Sequence, residues 1–146
     1  MTDAIADRSA VATNPMSIDE TRAVMDRYLN SGHGDLDAVM APDVVFTVMA
    51  TGQEFHGPDA VAGMLEFFYH GAFEATAEEM NLVIGEGEAV GEWSFIGRHV
   101  GEFAGVPATG KEVRVPLAVA YDLADGRVTQ ARIYFETPAF LAQVAG

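Results

Sequence analysis

The sequence predicts one α+β domain: helices first, a long antiparallel meander after them, and the helices laid on one face of a curved sheet around an apolar pocket. Three observations lead there. The chain has 146 residues, enough for one sizeable core and short for two. Its apolar spacing changes from a helical period to a period of two from about Met80 onward. Asp125-Gly126 falls between two alternating segments, a strong hairpin signal.

The elements follow in order. Residues 1–15, rich in Ala, Thr, Asp and Ser and without apolar periodicity, read as a flexible tail, which leaves 16–146 as the domain. Ser17-Ile18-Asp19-Glu20 has the form of a capping box, and Ile18, Val24, Met25, Tyr28 and Leu29 then share roughly one helical face. Asn30-Ser31-Gly32 stops that helix. Asp35 reads as the N-cap of a short second helix carrying Leu36, Val39 and Met40, which Pro42 closes before a strand at 44–49. Gly57-Pro58-Asp59 opens a third, with Val61, Met64, Leu65 and Phe68 at i, i+3, i+4 and i+7 and Phe67 widening the stripe. Four antiparallel strands are expected at 80–84, 89–103, 113–123 and 128–136.

Composition excludes several classes of function. Eight Lys and Arg against 22 Asp and Glu give a formal charge of −14, a field that repels nucleic acid and anionic membranes. There are no cysteines, so disulfides, thiolate zinc sites and cysteine nucleophiles are all out. No apolar run is long enough to span a bilayer, and the first residues lack the basic start and apolar stretch of a signal peptide, so a cytoplasmic protein is expected. No phosphate-cradling glycine loop, nucleophile elbow or metal-ligand spacing is present, and neither a cofactor nor a metal is expected.

The candidate chemistry lies on the last strand. With Asp125-Gly126 at the centre of the turn, Leu123 faces Val128, and an undisturbed register puts Val128, Gln130, Arg132, Tyr134 and Glu136 on the face shared by Val113, Val115, Leu117, Val119, Tyr121 and Leu123. A bulge would shift that register. Polar groups on an otherwise apolar wall mark a pocket with a purpose. Glu136 is then the candidate general base, Tyr134 or Arg132 the donor to a developing oxyanion, and His99 a second polar group. Arg132 and Glu136 can equally form a structural ion pair, and His99 can equally be a core histidine. The expected substrate wall is Trp93, Phe95, Val115, Leu117, Val119 and Tyr121, with Tyr28, Met49 and Phe68 as further contacts; Met49, Met64 and Phe68 also fit a purely core role. His33, His56 and His70 read as loop or helix-end residues, although loops at a pocket's mouth can touch ligand.

The stretch Gly97-Arg98-His99-Val100-Gly101-Glu102-Phe103-Ala104-Gly105-Val106-Pro107-Ala108-Thr109-Gly110-Lys111 resembles the signature segment of SnoaL-like polyketide cyclases. Tyr28 to Gly32 followed by Asp35, Ala41 to Phe46, His56 to Val61, the Asp125 to Val128 hairpin and the closing Phe140-Leu141-Ala142-Gln143-Val144 are similar to the wider nuclear transport factor 2-like superfamily. The resemblance implies a cone-shaped α+β barrel with three N-terminal helices packed on a curved, mostly antiparallel sheet. It also implies a homodimer or higher homo-oligomer of secondary metabolism, with a cofactor-independent cyclase site acting by acid/base catalysis on a small apolar, polyketide-like substrate. The family's acidic base on the last strand falls on Glu136, where this chain has Glu for Asp, and Arg132 stands where many members carry Trp. Epoxide hydrolysis, dehydration, isomerisation, cycloaddition and ligand binding without turnover remain the alternatives, since fold does not choose among them.

Overall fold

Ser17 starts the first helix as its sequence requires: its hydroxyl accepts from the Glu20 N–H at 3.0 Å, and the Glu20 carboxylate accepts from the Ser17 N–H at 2.9 Å. The structure, a computed structural model, describes residues 16–146, so the expected tail at 1–15 lies outside the described residues. Helix α1 spans Ile18–Asn30 and buries Thr21, Met25 and Tyr28. The second expected helix is a single 3-10 turn, Leu36–Ala38; Asp35 precedes it in a left-handed conformation and makes no side-chain cap. Helix α2 covers Pro58–Glu66 and passes into a π-helical turn, Phe67–Ala72. A C-terminal helix, α3, Thr137–Val144, was not expected as a helix.

Six strands form one sheet: β1 Met40–Val48, β2 Gln53–His56, β3 Phe73–Ile84, β4 Glu88–His99, β5 Glu112–Ala124 and β6 Arg127–Phe135. Their order is β2-β1-β6-β5-β4-β3, with β1 and β6 parallel and every other pair antiparallel. The sheet is mixed, open at β2 and β3, and the helices pack on it. Strand β2 and the first half of β3 had no signal of their own. Alternation in Phe73–Ile84 breaks where Glu78 and Glu79 stand side by side, next to a register shift between Glu79 and Asn81, and the burial of this edge strand is only partial.

The inner face carries the core. Along β5, Val113, Val115, Leu117, Val119, Tyr121 and Leu123 are all buried, as expected. Opposite them on β4 stand Ala89, Gly91, Trp93, Phe95 and Gly97. Two of these positions require glycine. A Cβ on Gly91 would overlap the Trp93 indole, and one on Gly97 would lie 2.6 Å from the Ala75 Cα. Gly97→Ala is therefore expected to lower stability by about 1–3 kcal/mol through overpacking against rigid backbone, measurable by urea unfolding.

One register expectation is corrected. Asp125 (φ 52) and Gly126 (φ 77) form the tight turn, and Leu123 does pair with Val128. Beyond that pair Thr129 bulges, its hydroxyl donating to the Asp122 carbonyl at 3.1 Å, and Gln130 pairs with Asp122. The extra residue reverses every later side chain on β6. Ala131, Ile133 and Phe135 point inward and are buried, while Gln130, Arg132 and Tyr134 point to the outer face.

Candidate active site

Between the inner face of the sheet, the end of α1, α2 and the π-helical turn lies a cavity of about 1080 Å³. Trp93, Leu117, Val119, Tyr121, Tyr28 and Phe68, all expected as substrate contacts, line it. Phe95, Val115 and Met49 do not: Phe95 is fully buried behind Phe68, its ring stacked at 4.5 Å, Val115 is fully buried opposite it on β5, and Met49 is exposed at the end of β1. Phe103 and Ala104, on the loop after β4, close part of the wall.

Most of the lining is apolar, so its polar groups stand out. Tyr28 from α1 and Tyr121 from β5 meet with rings 5.8 Å apart and hydroxyls hydrogen-bonded to each other. Tyr69, from the π-helical turn, lies near both. The ring of His33 sits 4.9 Å from Tyr69 and 6.1 Å from Tyr28, and His70 is at the cavity rim. Burial raises the pKa of all three phenols; that of Tyr69 is pushed up to about 12, while Tyr28 is raised further by the proximity of Tyr69, and Tyr121 by that of Tyr28 and Tyr69. All three hydroxyls therefore stay protonated and able to donate. His33 moves the other way, lowered first by burial and then by His70.

These shifts have a consequence for stability. An unfolded tyrosine ionises near 10.0, so the unfolded chain loses protons above that pH while the folded phenols keep theirs. Stability contributed by the tyrosines is complete below pH 10 and is lost as pH rises toward 12. Equilibrium unfolding at pH 9 and pH 11 is expected to show the decline, with the folded state at pH 11 showing less phenolate absorbance than the unfolded chain.

The polar residues expected inside the pocket occupy other places. Arg132 binds Asp122, not Glu136, through two hydrogen bonds of 2.9 and 3.4 Å on the outer face. Tyr134 is 44% exposed. Glu136 is exposed at the start of α3, where its carbonyl accepts from the Ala139 and Phe140 N–H groups. Tyr134 and Glu136 border a separate outer depression of about 330 Å³, divided from the main cavity by Trp93 and Leu117. The physical reason is the Thr129 bulge. His99 is fully buried beneath Phe73 and Phe140 and does not line the cavity. Its Nδ1 accepts from the Thr109 N–H at 3.3 Å and lies 3.0 Å from the Thr109 hydroxyl, which leaves Nε2 as the protonated ring nitrogen, without a partner among the described residues. This bond ties down the loop that carries Phe103 and Ala104.

Tyr69 was missed altogether. A regular helix continuing past Glu66 turns about 100° per residue, which would not aim Phe67, Phe68, Tyr69 and His70 at one cavity; the wider π turn makes all four line it. The available signal was the run Phe67-Phe68-Tyr69-His70 overflowing the helical stripe. Among the described residues no group of three or more His, Cys, Asp or Glu side chains is arranged to hold a metal ion, and no helix is long and apolar enough to cross a membrane.

An apolar cavity with a small polar cluster at one end is the form that small-molecule sites usually take. A family model described as SnoaL-like polyketide cyclase matches residues 19–144. The chain belongs to the SnoaL-like polyketide cyclase family. Among solved structures it is similar to a protein assigned as a SnoaL-like polyketide cyclase from Jannaschia sp. CCS1, with 20% identity, TM-score 0.75, and coverage of 86% of this chain and 92% of that one. It is also similar to wild-type IdmH from Streptomyces antibioticus (25% identity, TM-score 0.65, 87% and 97% covered). A SnoaL-like polyketide cyclase from Agrobacterium tumefaciens strain C58 gives 17% identity, TM-score 0.70, and 89% and 99% coverage. No curated protein sequence matches the chain.

Proposed function

We propose that this protein is an acid/base enzyme of the cyclase type, which binds an uncharged, polyketide-like aromatic ketone in its cavity and moves a proton at the carbon next to the carbonyl. The observation that carries this reading is the convergence of Tyr28, Tyr69 and Tyr121 at one end of the apolar chamber. Buried phenols that cannot ionise near neutral pH are hydrogen-bond donors, and a ketone oxygen placed among them gains most as negative charge develops on it. Among the described residues no Lys or Arg lines the cavity, so a charged carboxylate or phosphate on the substrate would go unpaired against them. The aromatic surfaces of Phe46, Phe68 and Trp93 suit flat rings.

The test uses 2-tetralone, an aromatic ketone with activated C–H bonds. Trp93 is the single tryptophan of the chain and lines the cavity, so quenching of its fluorescence reports binding. Proton NMR in D2O reports exchange at C1. Binding accompanied by exchange well above the buffer rate is expected; saturable binding with exchange at the buffer rate would leave a ligand-binding protein instead.

A further inference from the structure

We propose that His33 is the catalytic base of this cavity, the group that takes the substrate proton and returns it. The proposal rests on the proton-transfer reading above and names the residue that performs it. The inward positions of the last strand are Val128, Ala131, Ile133 and Phe135, none of which can accept a proton. Among the described residues Glu79 is the sole carboxylate lining the cavity, and it is exposed on edge strand β3, paired across from Trp93 rather than set among the tyrosines. His70 is exposed at the rim. Among the described residues His33 alone combines a lone pair, partial burial and contact with the phenols that would hold the carbonyl.

The local backbone is built to put it there. Ser31 ends α1 with its hydroxyl donating to the Tyr28 carbonyl at 2.8 Å, and the same oxygen accepts from the His33 N–H at 3.2 Å. The Gly34 N–H donates to the Ser31 carbonyl at 3.2 Å. Gly32 and His33 both take left-handed conformations, φ 67 and 66, which fold the chain back so that the imidazole faces the ring of Tyr69 and the end of α1 at Tyr28. A left-handed histidine is uncommon and persists where its surroundings fix it. The groups facing it are Tyr28 from α1 and Tyr69 and His70 from the π-helical turn. Burial and His70 both disfavour the imidazolium, so the ring is unprotonated near neutral pH, as a base must be.

The step balances without any other reagent. An imidazole nitrogen takes the proton; the C–H electron pair becomes the enolate double bond, and the carbonyl π pair moves to the oxygen among the phenols. In a substrate with a second carbonyl the enolate carbon attacks it, a C–C bond forms, and the new alkoxide takes the proton back from the imidazolium. Nothing is oxidised or reduced.

His33→Asn tests this, because asparagine tolerates the left-handed backbone. Exchange at C1 of 2-tetralone is expected to fall at least about 100-fold, the usual worth of a positioned base, while Trp93 quenching shows affinity within about twofold of the original. The wild-type rate should fall on the acid side of a pKa below 6.5 that matches the His33 ring titration followed by NMR, and added imidazole should restore part of the lost rate. His33→Asn exchanging at the wild-type rate overturns the proposal and leaves the proton-transfer reading standing. Loss of binding together with exchange also overturns it, since His33 would then be structural. Wild-type protein that binds 2-tetralone without exchange removes the reading and this proposal with it.

Discussion

Phe73→Ala is expected to cost about 3–5 kcal/mol of folding free energy, enough to bring a domain of ordinary stability near its unfolding threshold. Phe73 is fully buried at the start of β3. Its ring meets those of Phe68, Phe95, His99, Phe103, Phe135 and Phe140, so three strands counting its own, the π-helical turn, the loop after β4 and α3 converge on it. Removing it leaves a void lined by rigid rings that cannot close in from several directions at once. Urea unfolding at pH 7 measures the loss. Phe67→Ala, six residues earlier and 52% exposed, serves as the control and is expected to change stability by less than about 0.5 kcal/mol. Equal losses in the two variants would mean that the aromatic cluster is not the keystone of the fold.

Val119→Trp should separate the cavity from the fold. Val119 lies on β5 between Gly91 of β4 and Ile133 of β6, and its side chain points into the open chamber. A chamber of about 1080 Å³ has room for an indole, so stability should change by no more than about 1 kcal/mol, unlike a typical overpacked core. The same indole occupies the space a ligand needs. Affinity for the neutral tricyclic ketone fluorenone, measured by calorimetry, is expected to drop roughly 100-fold, or about 2.8 kcal/mol. Undiminished affinity would place the ligand elsewhere, with the outer depression beside Tyr134 and Glu136 the first alternative.

Most of the fold was legible because its signals are local. The capping box at Ser17, the apolar stripe of α2 and the alternation along β5 each depend on near neighbours, and each forms as read. The Asp125-Gly126 turn also forms, and it fixed the pairing of Leu123 with Val128. What followed was decided by one residue. Thr129 is unremarkable in the sequence, yet by donating to the Asp122 carbonyl it absorbs an extra position and turns Arg132 and Tyr134 outward. A period-two argument carries no protection against such an insertion, because every residue beyond it changes sides.

The candidate site was half legible for the same reason. Tyr28, Tyr121, Trp93, Leu117 and Val119 sit on strongly periodic elements, and all line the cavity. Tyr69 and His33 do not: one is presented by a π-helical turn and the other by a left-handed turn after α1, and neither geometry has a spacing that can be read from the chain. Their neighbours gave hints only in the overflow of Phe67-Phe68-Tyr69-His70 and in the Ser31-Gly32-His33-Gly34 sequence, where a histidine stands between two glycines.

The contest between the inner cluster and the outer strand edge reduces to one comparison, the rate of C1 exchange of 2-tetralone by Tyr121→Phe and by Glu136→Gln. Loss of one preorganised donor to a developing oxyanion is expected to slow Tyr121→Phe by about 100-fold. Glu136→Gln, altered at an exposed residue across the Trp93 and Leu117 wall, should exchange within about twofold of the unaltered protein. The reverse result, a slow Glu136→Gln and an unaffected Tyr121→Phe, would contradict the assignment of the reactive end to the tyrosine and histidine cluster.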